Sequence, residues 1–336
     1  MRRLGSSGLQ VSALGFGTMT FGGVDRFSAV GTTQVGDARR QVDLCLEAGV
    51  NFFDSADVYS EGRSEEILGE ALKGRRDGVI LATKVHGRMG PGPNDVGQSR
   101  YHIIRACEAS LKRLQTDYLD LYIVHGFDPH TPLEESLRAL DDLVRSGKVR
   151  YLGCSNFSGW HLMKALGISE RLGLERYVAQ QVYYSLVARE VENELVPLGL
   201  DQGVGGIIWS PLSAGFLSGK FRRGEAGPTD SRRVRRGDPG TVNEEQGFAI
   251  LDVLEEIAAA HDASIAQAAL NWLLRKPAVS SVLVGARTEA QLADNLRAAT
   301  WTMTADEVKR LDEVSATPPI YPYWHQQRNN PRMATS

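Results

Sequence analysis

Cysteine is scarce in this chain of 336 residues. Cys45, Cys107 and Cys154 stand far apart and form no CxxC pair, which argues against a disulfide framework and a structural zinc site. Cys45 and Cys107 fall on apolar helical stripes, where a small buried thiol is the expected reading, while Cys154 lies beside a segment with candidate function and stays open. Long apolar runs are also missing. None approaches the roughly 18 residues needed to cross a bilayer. The basic N-terminal stretch MRRLGSSGLQ lacks the continuous apolar core of a signal peptide, so the expected compartment is the cytoplasm. Charge of one sign is not in excess. Lys+Arg is 38 and Asp+Glu is 41, a formal net charge of −3. That balance gives no reason to expect nucleic acid or an anionic membrane as partner.

Glycine, at 35 residues, is plentiful and implies many turns. Between the turns, short apolar runs alternate with amphipathic helical patterns. The runs are Ala13–Gly17, Asn51–Asp54, Val79–Lys84, Leu119–His125, Tyr151–Ser155, Val178–Val182, Gly206–Ser210 and Val282–Val284. They are rich in Val, Ile, Leu and Tyr and show no polar alternation, as strands buried on both faces should be. The clearest helix is TPLEESLRALDDLVRSG, with Thr131 as cap, Pro132 in the first turn and Glu134 closing a capping box. Ser264-x-x-Gln267, Thr288-x-x-Gln291 and Thr304-x-x-Glu307 are further capping boxes. Strand and helix alternating through eight units predict parallel strands, and eight is the number that closes a (β/α)8 TIM barrel. A doubly wound open sheet is the rival architecture. Ahead of the first unit, Gly5-Ser6-Ser7-Gly8 between short apolar runs predicts an N-terminal β-hairpin that could plug one end of the barrel. No linker or low-complexity tract divides the chain, so residues 1–336 are expected to form a single barrel domain. The irregular stretch 220–240 carries Lys220, Arg222, Arg223, Arg232, Arg233, Arg235 and Arg236. It reads either as a solvated loop or as a flap over an anionic ligand.

In such a barrel the chemistry sits at the C-terminal ends of the strands. Here those ends carry Asp54, with Tyr59 just beyond, then Lys84, His125, Ser155-Asn156, Gln181, Trp209-Ser210-Pro211 and Gly285-Ala286-Arg287. Any one of these alone reads blandly. Asp54 and Lys84 would be an ion pair, His125 a satisfied polar group, and Tyr59 and Trp209 packing residues, the indole N–H having found a partner. Four ionisable side chains of four kinds at adjacent strand ends read instead as one functional group. Asp57, on the same loop as Tyr59, is expected to be a loop-capping carboxylate.

The motifs then become specific. GFGTM at Gly15–Met19, NFFDSADVYSEGRSEEILGEAL at Asn51–Leu72, TKV at Thr83–Val85 and DYLDLYIVH at Asp117–His125 stand in one order along the chain. GKVRYLGCSNF at Gly147–Phe157, WSPLSAGFLSGK at Trp209–Lys220 and VGARTEAQLADN at Val284–Asn295 follow them. With these blocks the sequence resembles the aldo-keto reductases across nearly its whole length. The resemblance implies a (β/α)8 barrel and reversible, NADPH-linked reduction of an aldehyde or ketone to the alcohol. Carried over by position, the catalytic tetrad is Asp54, Tyr59, Lys84 and His125. A phenol titrates near ~10 and is a poor acid at neutral pH unless a nearby ammonium favours the phenolate. Lys84 can supply that charge, Asp54 can hold Lys84, and Tyr59 becomes the general acid in reduction and the base in oxidation. His125 would hydrogen-bond the carbonyl oxygen.

The same match implies the cofactor contacts. Asp54, Ser155, Asn156 and Gln181 would meet the nicotinamide end, Trp209 would stack on the ring, and Gly17, Thr18 and Met19 would line it. Backbone groups of Ser210, Leu212, Gly215 and Leu217, with Lys220, would meet the pyrophosphate. Gly285, Arg287, Gln291 and Asn295 match the adenine-ribose end, where Arg287 suits a 2′-phosphate. Thr288 capping a helix is compatible with this, because a helix N-terminus attracts phosphate. Asp294 stands where the family often has Glu. Candidate substrate-pocket residues are Met19, Phe21, His86, Phe127, Tyr321, Tyr323 and Trp324. No metal is implied, because His125, Asp128 and His130 have neither HExxH spacing nor further strand-end ligands. Barrels resembling reductases also serve as potassium-channel beta subunits that retain the cofactor and turn over slowly, and Trp209-Ser210-Pro211-Leu212 fits that branch too. A redox-sensing cofactor-binding protein is therefore the alternative. The sequence assigns neither the substrate nor an oligomeric state.

Overall fold

The computed structural model describes residues 1–24, 27–28, 30–225, 227–229, 233–234, 237 and 242–330. Two short strands, β1 (Arg2–Arg3) and β2 (Gln10–Val11), pair antiparallel, with Arg2 opposite Val11. Eight further strands follow: β3 (Leu14–Gly17), β4 (Phe52–Asp54), β5 (Ile80–Val85), β6 (Leu119–Val124), β7 (Val149–Ser155), β8 (Tyr177–Tyr183), β9 (Gly205–Trp209) and β10 (Val279–Val284). They pair in parallel, each with its successor, and β10 closes on β3. The closed barrel replaces the open-sheet alternative. It follows from runs that are buried on both faces and need helices outside and packed side chains inside.

Inside the barrel, Phe52, Ala82, Leu121, Ile123, Ala179, Ile207 and Leu283 form one apolar cluster, and Leu4 and Val11 of the hairpin join it. The hairpin is thus a plug. Its Gly5 sits at φ +60°, and a Cβ there would come within 2.3 Å of the Gly203 carbonyl oxygen, so only glycine lets the plug seat against the barrel floor. Outside, a second cluster joins the outward strand residues to the helices. It includes the stripe Ile103, Cys107, Leu111 and Leu114 of the helix Arg100–Leu114, whose Ser99 accepts the His102 N–H as N-cap. All three cysteines are buried and unpaired by disulfide, and burial pushes their thiols up.

The helix Leu133–Arg145 departs from its predicted start. Pro132, not Thr131, is its N-cap. Thr131 donates its hydroxyl to Asp128 Oδ2 at 2.7 Å instead, and Glu134 pairs with Arg171. At Thr304 both halves of the capping box form. At Ser264 only one does, because Gln267 donates its amide to Asp294. No described helix is long and apolar enough to cross a membrane.

Candidate active site

A cavity of about 780 Å³ opens where the barrel strands end, with Gly17, Asp54, Ser155, Gln181, Trp209 and Val284 all on its wall. Asp54 is buried on this wall, and Lys84 is buried behind it. Lys84 Nζ donates to Asp54 Oδ2 and to the Ser55 carbonyl, each at 2.6 Å, and lies 3.5 Å from the Tyr59 hydroxyl. Gln181 donates its amide to the other Asp54 oxygen at 2.9 Å. Burial alone would depress the Lys84 ammonium, but the Asp54 charge and the Tyr59 oxygen outweigh it and hold its pKa above the ordinary lysine value. Burial pushes the Asp54 carboxyl up, against the pull of Lys84 and Gln181.

Tyr59 enters from the turn after β4. Ser60 and Glu61 follow it at φ +50° and +55°, and this left-handed pair swings the chain into the helix Arg63–Ala71. Ser60 Oγ donates to the Phe21 carbonyl and accepts the Gly23 N–H, tying this turn to the loop after β3. The Tyr59 ring meets His125 edge-on at 5.9 Å and Phe27 edge-on at 5.5 Å. His125 directly follows β6, and its N–H is held by the Val85 carbonyl at 2.8 Å. Asp57 takes the loop-capping role expected of it, with Oδ1 accepting the Val58 N–H at 2.7 Å. Its buried carboxyl is pushed well above the usual range by burial and by nearby Glu65.

Around this centre, Ser155, Asn156 and Gln181 are each fixed by one donor bond. Ser155 Oγ donates to the Gln181 carbonyl, Asn156 to the His125 carbonyl, and Gln181 to Asp54. Trp209 lines the cavity, and its buried indole Nε1 has no hydrogen-bond partner, unlike that of a satisfied core tryptophan. The far end of the cavity carries Lys220, Arg287, Gln291, Asp294 and Asn295. Thr288 caps the helix Glu289–Leu296, while Gln291 Oε1 accepts the Arg287 N–H at 3.2 Å. Asp294 accepts bonds from Ser264 and Gln267, which ties this helix to the helix Ile265–Leu274.

Most of the residues singled out in the sequence meet at this wall: Gly17, Met19, Asp54, Tyr59, His125, Ser155, Asn156, Gln181, Trp209, Ser210, Leu212, Gly215, Lys220, Gly285, Arg287, Gln291 and Asn295. Three lie behind it. Lys84 sits in the barrel interior, Thr18 is buried with its hydroxyl near Ser64, and Leu217 is in the core with its N–H on the Leu212 carbonyl.

The substrate-pocket candidates fare worse. Only Met19 is on the wall. Phe21 is fully buried in the core. His86 lies against Gly126, and Phe127 stacks on His161 at 3.6 Å. Tyr323 donates to Glu194, and Tyr321 stands largely exposed. The wall near Tyr59 is instead built by Phe27, Val30 and Val58. An aromatic residue in the glycine-rich loop after the first barrel strand was the available signal for Phe27. In the basic stretch, Arg222 and Arg223 pair with Glu255 and Asp252, and Arg233 lies over the Phe216 ring. Arg232, Arg235 and Arg236 lie outside the described residues. Among the described residues no group of three or more His, Cys, Asp or Glu is placed to hold a metal ion.

Comparison with known proteins agrees with this architecture. The family model described as the aldo/keto reductase family matches residues 13–316. A probable voltage-gated potassium channel subunit beta of Arabidopsis thaliana is 39% identical, over 88% of this chain and 90% of that protein. An uncharacterized oxidoreductase of Bacillus subtilis, YrpG, is 39% identical over 94% and 95%. The versiconal hemiacetal acetate reductase of Aspergillus parasiticus is 34% identical over 95% and 98%. The chain therefore belongs to the aldo/keto reductase family.

Proposed function

We propose that this chain is a cytoplasmic, single-domain NADPH-dependent reductase of aldehydes or ketones, with Tyr59 as its proton donor. The observation that carries the reading is the buried ammonium of Lys84, held between Asp54 and the Tyr59 hydroxyl at the wall of a cavity that continues to Arg287. The wall suits a nicotinamide dinucleotide. Trp209 offers an aromatic face beside the fixed polar groups of Ser155, Asn156 and Gln181. The Ser210 hydroxyl is buried without a partner. A Cβ placed on Gly215 would meet nothing within 4 Å, so the backbone there leaves room for a close approach. Lys220 and Arg287 supply positive charge at the far end, beside a helix N-terminus. The oxidoreductase and reductase among the relatives support the same class of reaction.

The bound dihydronicotinamide would supply a hydride to the carbonyl carbon. As negative charge develops on the carbonyl oxygen, Tyr59 donates its phenolic proton to it. The Lys84 ammonium stabilises the phenolate left behind, since an opposite charge at this distance favours the ionised form. Asp54 keeps Lys84 charged and in place. His125 hydrogen-bonds the carbonyl oxygen and fixes its direction toward Tyr59. In alcohol oxidation the phenolate takes the proton back.

The test is NADPH oxidation with a panel of aldehydes and ketones, for the wild type and Tyr59→Phe. Turnover in the wild type, its loss in the variant, and near-wild-type NADPH affinity in both are expected. Retention of most activity in Tyr59→Phe would sink the proton-donor role. A second reading, a cofactor-retaining channel subunit, is favoured by the identity to the Arabidopsis protein. Tight NADPH binding with no turnover across the panel would select it.

A further inference from the structure

The indole of Trp209 has two faces, and only one belongs to the cavity. Tyr183, which is not on the cavity wall, covers the other. The two rings stack with centroids 4.9 Å apart and planes 26° apart. Tyr183 ends β8, Trp209 ends β9, and the two are direct register partners in the parallel ladder. The sheet therefore sets the spacing of the pair, and the stack restricts the indole to one plane.

Tyr183 also reaches the turn behind a second part of the cavity, where Ala214 and Gly215 are on the wall. Its hydroxyl lies 2.9 Å from Ser213 Oγ. Ser213 opens the short 3-10 segment Ser213–Ser218, where Ser213, Ala214 and Gly215 have φ of +46°, +52° and +93°. Two adjacent non-glycine residues in the left-handed region persist only where their surroundings hold them. The Tyr183–Ser213 bond is one such hold. One side chain thus touches both the aromatic wall at Trp209 and the turn that carries Gly215.

We propose that Tyr183 is a positioning residue that holds the Trp209 ring and the Ser213–Ser218 turn in one fixed relation, so that the nicotinamide and the pyrophosphate of one dinucleotide are seated together. The inference rests on reading the cavity as a nicotinamide dinucleotide site. Tyr183 acts through Trp209 and Ser213 and touches neither cofactor nor substrate. The stack and the bond to Ser213 can be separated by substitution. Tyr183→Phe keeps the ring and loses the bond to Ser213, whereas Tyr183→Leu loses both.

The experiment titrates NADPH and 2′-AMP into wild type, Y183F, Y183L, S213A and the Y183F/S213A double variant. It follows the emission of bound NADPH and records thermal unfolding alongside. Loss of an aromatic stack together with a hydrogen bond predicts that Y183L binds NADPH about tenfold more weakly. Its bound-NADPH emission should shift toward that of the free cofactor. Affinity for 2′-AMP, which has neither nicotinamide nor pyrophosphate, should stay within about twofold of wild type, the scatter of independent sites. Y183F and S213A should each weaken NADPH by about threefold, the size of one hydrogen bond, and the double variant should be no weaker than either alone. In turnover, kcat should fall while KM for the aldehyde holds. Wild-type NADPH affinity and unchanged emission in Y183L would overturn the inference, and so would an equal loss of 2′-AMP binding, which signals general loosening. If the wild type itself binds neither NADPH nor NADH, the dinucleotide reading fails first and takes this inference with it.

Discussion

Gln181 donates its side-chain amide to Asp54 Oδ1 at 2.9 Å, joining β8 to β4 across the inside of the barrel. The other Asp54 oxygen accepts from Lys84 at 2.6 Å. One buried carboxylate therefore aims both the ammonium behind Tyr59 and an amide on the cavity wall. Asp54→Asn keeps the shape and removes the charge. Breaking a buried pair in this way costs about 3 kcal/mol or more of stability. With its counter-charge gone, Lys84 loses the interaction that holds its pKa up, so the alkaline limb of the pH–rate profile should move to lower pH. Because the folded Lys84 pKa is raised, its stabilising contribution is complete below the ordinary lysine pKa and fades as pH rises through the raised value. The stability difference between wild type and D54N, read from urea unfolding, should narrow in strongly alkaline solution. A difference independent of pH would mean that charge is not its source.

The strands and the residues at their ends were legible because both are written locally. A strand buried on two faces must be a short unbroken apolar run, and a barrel puts its chemistry where the run stops. Asp54, Lys84 and His125 obey that rule directly. Phe27 and Val30 do not. They come from a loop without periodicity, and what brings Phe27 to Tyr59 is a set of long-range bonds, Ser60 to Phe21 and Gly23 among them. Gly23 adds a constraint no pattern displays, since a Cβ there would come within 1.7 Å of the Gly31 carbonyl oxygen. Thr131 failed for a related reason. Its capping motif was visible in the sequence, but the competing acceptor, Asp128, was known only once the loop had folded.

Arg287→Ala tests which dinucleotide the far end of the cavity prefers. The Arg287 N–H is held by Gln291, and Thr288 caps the helix, so the backbone there is fixed independently of the guanidinium. Loss of a charge-assisted contact to a 2′-phosphate should weaken NADPH by roughly tenfold to a hundredfold and leave NADH nearly untouched. Titration with both cofactors checks this, and equal losses would reject the 2′-phosphate assignment. Thr288→Ala provides the contrast: it removes the cap, at a cost of about 1 kcal/mol in stability, and should affect the two cofactors alike.

Glu65 is fully buried behind the Tyr59 turn, with Arg113 Nε at 2.6 Å and the Thr83 hydroxyl donating at 2.5 Å. Arg113 is partly exposed, so its own charge can reach water if the pair is broken. The two partners are therefore not equivalent. Arg113→Ala strands a carboxylate in the interior and should cost about 3 kcal/mol or more, read by urea unfolding. Glu65→Gln retains a polar acceptor for Thr83, leaves no buried charge, and should cost clearly less. The reverse order would show that the loss of Arg113 does not strand a costly charge at Glu65.

His86 and His102 should make the molecule acid-sensitive before its carboxylates do. His86 Nδ1 and His102 Nε2 are buried without hydrogen-bond partners, and burial depresses both imidazoles below the ordinary histidine value. The folded chain then carries them neutral at pH values where the unfolded chain binds protons. Their contribution to stability is complete above about 6.5 and is lost as pH falls through the depressed values. Asp128 works in the same direction in a lower window. Burial would raise its carboxyl, but the Thr131 hydroxyl and the N–H groups of His130 and Gln98 hold it below the usual range. Its share is lost only near and below about pH 4. Between pH 7 and pH 5 the urea midpoint of the wild type should fall relative to that of a His86→Gln/His102→Gln double variant, since the opposing proton uptake by the raised Asp57 carboxyl and the titration of the depressed His161 are common to both, with both steepening again below pH 4. A difference between the two that does not change across that range would move the acid sensitivity to other groups.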